Sequence, residues 1–450
     1  MKKLTRCGLR LAYGLAWIGL AACVHSPTRV VATPTVSARP TPAKPPEVAP
    51  AVAADVAVPV KDRDRQPAVA DAYLAAQVRG NTAFALSLAA HAPEGNLIFS
   101  PYSISSALAM AYAGARGQTA AQMADALHFV LPPELLHPAF NALDLAFAAR
   151  AGQGGEGFKL NVANALWGAK DLKLEPAFLG TVGSNYGGGL HLLDFSRPSA
   201  ATAAINQWVA ERTENRIQDL ITLDAITPDT RLVLTNAVYF LAKWELPFAP
   251  RATDDRRFTL LDGKQVKVRM MHQENHFAYA EDDGWQAIQL PYQGGQVACD
   301  VVLPAAGGFA AFEQGLTAEK LDSLLGKLHG DQVMLSLPRF KATTTLSLAK
   351  ALKALGMKDA FVYPAADFNG ISAGGQLYIS AVLHKAFVEV DESKTEAAAA
   401  TAVVAIPGAA APARPPKIIE MIVDHPFLFL IRDLPTGQIL FWGRVVNPAG

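Results

Sequence analysis

Residues Glu392–Lys417 (ESKTEAAAATAVVAIPGAAAPARPPK) constrain this chain more than any other stretch. They follow a strong strand candidate, Val382–Val390, and precede another, Ile418–Val423. A segment this long without apolar patterning reads as an exposed loop, because a buried one would strand its backbone polar groups. Yet Thr395–Ile406 is a run of small or β-branched residues with a single charge, Glu396. At the two-residue period of a strand, Thr395, Ala397, Ala399, Thr401, Val403 and Ala405 share one face. All six are small and uncharged. Solvation alone does not require an uncharged face. The pattern describes a loop able to enter a sheet as a new strand, ending before Pro407, which has no N–H to donate.

The sequence around this loop supplies both element types. Apolar residues recur at helical spacing in Tyr73–Ala90, Tyr102–Ala113, Glu134–Arg150 and Ala200–Arg216. Strand-like runs occupy Leu160–Gly168, Leu232–Phe240, Ala287–Tyr292, Cys299–Leu303 and Val333–Pro338. They recur at Leu377–Asp391, Ile418–Val423, Phe427–Ile431 and Ile439–Val446. Helices dominate the first half and strands the second, without strict alternation. That order predicts an α+β fold rather than a doubly wound parallel sheet. The globular part runs from about Ala70 to Gly450 and shows no internal repeat.

The front end differs sharply. Met1–Arg10 carries four basic groups and no acid, and Leu11–Leu20 (LAYGLAWIGL) is apolar throughout. Ten residues are too few to span a hydrocarbon core, which needs about 20, but suit the core of a signal peptide. The run ends in Leu20-Ala21-Ala22-Cys23, which resembles the lipobox of bacterial lipoproteins. Residues 1–22 are expected to be removed, leaving Cys23 acylated and membrane-anchored. Val24 rather than Asp after the cysteine favours the outer membrane or cell surface of a Gram-negative cell. Between Val24 and Pro67 nine prolines fall in 44 residues, with no aromatics. Residues 23–69 therefore read as an extended tether. Without the first 22 residues, 36 basic groups face 40 acidic ones. That argues against a nucleic-acid binder working through a basic surface. Three cysteines exclude a disulfide scaffold. Cys7 leaves with the signal, and Cys299 reads as a buried core residue.

Motifs for catalysis are weak. Gly370-Ile371-Ser372-Ala373-Gly374 matches G-x-S-x-G, but a nucleophile elbow needs a strand before it and a helix after it. Here a loop precedes it and a strand follows. His272 and His276 have the spacing of a zinc helix, yet lie between strand-like runs. Gly187–Gly189 lacks the Lys-Ser/Thr of a phosphate loop. No enzyme activity, metal or cofactor is expected.

Ordered segments across the globular part resemble the serpin family. They include Asn96–Thr119 (NLIFSPYSISSALAMAYAGARGQT), Leu160–Trp167 (LNVANALW), Trp208–Ile221 and Arg231–Phe248 (RLVLTNAVYFLAKWELPF). Leu335–Lys341 (LSLPRFK), Leu355–Phe361, Ala366–Ser372, Leu377–Glu392, His425–Asp433 and Phe441–Pro448 continue in the family order. The resemblance implies about nine helices around three mainly antiparallel sheets, with Glu392–Lys417 as the exposed reactive-centre loop. It implies a monomeric suicide inhibitor of serine, or alternatively cysteine, proteases. A protease cleaving the loop would form an acyl-enzyme and be trapped as the freed strand inserts.

The same resemblance assigns residues. Glu392 starts the hinge, followed by Lys394, Thr395, Ala397, Ala398, Ala399, Ala400 and Thr401. Lys394 departs from the pattern, since inhibitory members carry glycine there. If that position needs positive φ, lysine costs about 1 kcal/mol or more and slows insertion. A non-inhibitory binding protein or cleaved decoy is the alternative reading. Counting sixteen residues from Glu392 puts the bait bond at Gly408-Ala409, which suits elastase-like or subtilisin-like proteases. Counting back from Pro426 lands near Pro415, because the loop is about seven residues longer on that side. Arg414 would suit a trypsin-like enzyme, but Pro415 follows it. Ser100, Ser103, Asn236 and His384 match the family's shutter beneath the sheet, and Trp244 the tryptophan where the loop enters.

Overall fold

The computed structural model describes residues 55–56, 62–153, 158–374, 376–392 and 418–450. In chain order the first elements are β1 (Asp55–Val56), α1 (Asp71–Ala89), β2 (Leu97–Phe99), α2 (Pro101–Tyr112), α3 (Gly117–Ala126) and α4 (Pro133–Gln153). Next come β3 (Phe158–Ala169), α5 (Pro176–Tyr186), β4 (Leu190–Leu193), α6 (Pro198–Arg212) and β5 (Leu232–Ala242). A strand-rich stretch follows: β6 (Asp254–Thr259), β7 (Gln265–Asp282), β8 (Trp285–Pro291) and β9 (Val297–Pro304). Then come α7 (Phe309–Gln314), α8 (Ala318–Gly326), β10 (His329–Pro338), β11 (Phe340–Ser347) and α9 (Ala349–Ala354). The chain closes with β12 (Ile379–Val390), β13 (Ile419–Ile422), β14 (Phe427–Asp433) and β15 (Ile439–Val445).

Among the described residues the strands form two sheets, not the three expected. The first has the order β1-β4-β3-β5-β12-β11, and the second β13-β10-β7-β8-β9-β14-β15-β2 with β6 beside β7. β7 is the reason for the merger. Its 18 residues pair with β6 at one end, with β8 at the other and with β10 between. One unbroken strand thus joins what would otherwise be two ladders. Antiparallel pairs dominate, as expected, with parallel exceptions at β3–β4, β5–β12 and β10–β13.

Local chemistry explains the elements that matter. Ser100 caps α2 by accepting from the Ser103 N–H at 3.2 Å, and Pro101 occupies the first turn, where its missing donor costs nothing. α2 is buried almost throughout because it contacts both β3 and β5 of the first sheet and β15 of the second. β5 is buried along nearly its whole length, which explains its continuous apolar run. The predicted helix Ala200–Arg216 stops earlier, at Arg212. Glu214 and Asn215 take left-handed φ values of 51° and 59° there, which no α-helix continues through. Cys299 is buried, and burial pushes its thiol pKa well up. His272 and His276 lie on strand β7, and Ser372 sits in a turn with β12, not a helix, following it.

Candidate functional site

The first sheet contains two parallel seams, β3–β4 and β5–β12, and the second is the one beside the end of β12. β5 pairs antiparallel with β3, and β12 antiparallel with β11, but β5 and β12 run parallel to each other. Their ladder extends from Ile379–Leu232 to Phe387–Tyr239, with an irregularity near Ala381. β12 continues to Val390 and β5 to Ala242 beyond that point. A small cleft lies there, lined by Phe240, Ala242, Trp244, Tyr292, Val388 and Asp391 among others.

A buried polar chain crosses the seam at mid-length. Asn164 on β3, Asn236 on β5 and His384 on β12 lie in register, side by side. The Ser100 N–H donates to His384 Nε2 at 3.2 Å, so Nδ1 carries the imidazole proton and donates to Asn236 Oδ1. Asn236 Nδ2 in turn donates to Ser103 Oγ and Asn164 Oδ1. Ser103 Oγ donates to Asn164 Oδ1 at 2.9 Å, and Asn164 Nδ2 to the Ser103 carbonyl at 3.2 Å. His384 is completely buried, and desolvation holds its pKa down to about 3. A second proton would sit on Nε2 and confront the Ser100 N–H, donor against donor.

Ser100, Ser103, Asn236 and His384 are thus brought together as one unit between α2 and the sheet. Asn164 belongs to the unit and was not singled out from the sequence. Its signal was present in LNVANALW, but choosing it requires knowing which β3 residue faces Asn236. His384→Ala is expected to cost about 3 kcal/mol. It leaves the Ser100 N–H and Asn236 Oδ1 unpaired in a dry interior and opens a cavity. Denaturant unfolding measures this, and an unchanged midpoint would remove the seam-locking role.

The end of β12 is held separately. Trp244 is buried, stacks on Tyr292 at 4.6 Å and 11°, and donates from Nε1 to the Asp391 carbonyl at 2.8 Å. The Glu392 carbonyl accepts from the Phe248 N–H at 2.9 Å. Its side chain is 5% exposed, with Oε1 accepting from Thr253 Oγ1 and the Arg339 guanidinium. Burial alone would push this carboxyl pKa up; the Arg339 and Thr253 hydrogen bonds outweigh it and hold it below the usual range. Arg339 and Thr253 were also not singled out from the sequence. Arg339 stands within LSLPRFK, but nothing local shows that it and Thr253 reach Glu392, from 53 and 139 residues away.

Lys394, Thr395, Ala397, Ala398, Ala399, Ala400, Thr401, Gly408 and Ala409 lie outside the described residues, as does Cys23. The two ends of their segment are described. It leaves β12 at Glu392, on the first sheet, and returns at Ile418 into β13, the edge strand of the second. Among the described residues no group of three or more His, Cys, Asp or Glu side chains could hold a metal.

A parallel seam, a polar lock beneath it and a 25-residue connection leaving one of its strands define a loop-presenting scaffold. The comparisons give that scaffold its family. Residues 79–448 match the family model "Serpin (serine protease inhibitor)". A serpin-like protein of Thermococcus kodakarensis is 41% identical over 354 residues, 78% of this chain and 81% of that protein. Human leukocyte elastase inhibitor is 38% identical over 382 residues, covering 82% and 98% respectively. The thermophilic serpin tengpin, solved in its native state, aligns with a TM-score of 0.77 at 29% identity. That alignment covers 88% of this chain and all of tengpin. The chain belongs to the serpin family, which is one of protease inhibitors and not of enzymes.

Proposed function

We propose that this serpin is a suicide-substrate inhibitor of serine endopeptidases, with cysteine endopeptidases as a second target class. The observation that carries the reading is the parallel β5–β12 seam, from which the small-residue segment directly departs. A strand that follows β12 and turns back runs antiparallel to β12, and therefore antiparallel to β5 as well. Entering the seam, it replaces one parallel pairing by two antiparallel ones, which are slightly better per residue. About a dozen added backbone hydrogen bonds at roughly 0.5–1.5 kcal/mol each give on the order of 10 kcal/mol. That matches the roughly 5–15 kcal/mol that holds a domain together, enough to deform an attached protease.

In this reading the protease's nucleophile forms an acyl bond with the Gly408 carbonyl. The bond to Ala409 breaks and the new amino terminus leaves. Thr395–Ile406 then inserts before water can deacylate the enzyme. Elastase-like or subtilisin-like proteases with shallow pockets fit Gly408 and Ala409–Ala411, and the similarity to leukocyte elastase inhibitors supports that choice. Arg414 is the less favoured site because Pro415 follows it. Lys394 favours a second reading, in which the loop is cleaved without trapping. Acylation of Cys23 would place the inhibitor at the outer membrane or cell surface, with residues 23–69 as its tether.

The test is incubation with elastase, subtilisin and trypsin, followed by a denaturing gel and mass spectrometry. A band at the summed mass that survives denaturation is expected with elastase or subtilisin, with a released peptide beginning at Ala409. Clean cleavage beside fully active protease would transfer the assignment to the decoy. A cut outside 406–411 would overturn the bait bond.

A further inference from the structure

We infer that Ser336 is a base-activated nucleophile, a covalent acceptor for neutral acyl esters with short apolar chains. It lies on the second sheet, not at the β5–β12 seam, and the inference stands apart from the proposed trapping. Three adjacent strands supply the group. Ser336 on β10 is the direct register partner of His272 on β7, and β6 flanks β7 on its other side. Ser336 Oγ stands 2.8 Å from His272 Nδ1. His272 Nε2 stands 2.9 Å from Asp254 Oδ1, at the start of β6. His272 and His276 have the spacing of a zinc helix, but on a strand His272 joins a serine to a carboxylate instead.

The partners fix the protons. Hydrogen bonds from Arg256 and His272 hold the Asp254 carboxyl below its usual range, so it is ionised and can only accept. In its neutral form the imidazole therefore carries its proton on Nε2, donates it to Asp254, and turns the Nδ1 lone pair to the Ser336 hydroxyl. This is a Ser-His-Asp relay with the two ring nitrogens exchanged, and such relays are recognised by geometry rather than by chain order. Cross-strand polar pairs are common on sheets; this one differs in what it faces. Ser336 and His272 line a groove of about 580 Å³. Met334 and Ile422, each 41% exposed, line it too and offer an acyl chain an apolar wall. Arg256 and Arg257 place cations beside a carbonyl that gains charge under attack. Glu274, Glu420 and Asp424 also line the groove and disfavour an anionic donor, hence a neutral ester. In the transfer, Ser336 Oγ bonds to the ester carbonyl carbon as its proton passes to His272 Nδ1. The bond to the leaving oxygen then breaks, and that oxygen takes the proton from Nδ1. One O-acyl serine and one alcohol result, with no co-reactant and no turnover required.

The experiment treats the full chain with p-nitrophenyl butyrate, and separately with a butyl fluorophosphonate whose serine adduct survives peptide mapping. A burst of nitrophenol that Ser336→Ala lacks is expected, with the phosphonyl group mapped to Ser336. His272→Gln is expected to slow labelling of Ser336 at least about a hundredfold, and Asp254→Asn at least about tenfold. The His272 side chain is 28% exposed, so its replacement should leave the denaturant midpoint near the parent's. Imidazole added to His272→Ala is expected to restore part of the rate, which no loss of structure would allow. An adduct missing from Ser336, or formed there no faster than on the chain's other serines, would overturn the inference. So would a parental rate in His272→Gln, or no rescue by imidazole.

Discussion

Taken from pH 7 to pH 5, the folded domain is expected to lose about 6 kcal/mol of stability, about 2 kcal/mol for each of three buried histidines. His384 and His137 are both buried, and desolvation holds their pKa values down to about 3 and about 4, against an ordinary 6.5. The unfolded chain therefore binds two protons below pH 6.5 that the folded chain refuses. Each imidazole costs about 1.4 kcal/mol per pH unit in that window, so about 2 kcal/mol at pH 5. His191, also buried and held down to about 4, adds the third such proton. Glu392 adds a lower window. Its depressed carboxyl contributes above the ordinary carboxylate range and is lost as pH falls through its folded value. Against a typical total of about 5–15 kcal/mol, the upper window alone is a large fraction. Denaturant midpoints at pH 7, 6 and 5 measure the slope, and His137→Gln should remove about a third of it. A flat profile would mean that the folded chain accepts these protons.

Much of the fold was legible because its central strands are buried on both faces. β5 and β14 stand out as apolar runs, and α2 announces itself through the Ser100–Pro101 cap. The β6–β7 hairpin did not, since Asp254–Thr259 is mostly exposed charge and β7 mixes exposed and buried positions without strict alternation. Missing β7 also hid the merger of two sheets, because that strand makes the join. The site divides in the same way. His384, Asn236 and Asn164 all stood within motifs of the sequence, but the bond that joins Asn164 to Asn236 spans 72 residues and the one from Arg339 to Glu392 spans 53. Strand register creates those pairings. No local pattern encodes them.

Under the proposed trapping mechanism, Ala399→Arg is expected to turn the chain into a cleaved substrate, while Ala398→Arg leaves most of the trapping intact. The prediction follows from which face of the sheet each residue would meet. On β12, His384 points to the buried polar chain above α2, and its neighbour Lys385 points the other way, donating to the Gln218 carbonyl at 2.6 Å. That outer face already carries charge, including Lys159 paired with Glu214 beside β3. An inserted strand alternates likewise. Thr395, Ala397, Ala399, Thr401, Val403 and Ala405 form its uncharged side, and Glu396 lies on the side of Ala398. The uncharged set must be the one that faces α2. An arginine delivered there finds no counter-charge and costs several kcal/mol. Insertion competes with deacylation, so each 1.4 kcal/mol added to its barrier shifts the partition about tenfold toward cleavage. The gel reads this directly as the ratio of denaturation-resistant complex to cleaved chain. Loss of complex in Ala398→Arg but not Ala399→Arg would reverse the assigned faces. Equal behaviour of the two would mean that the segment does not enter the sheet as a strand.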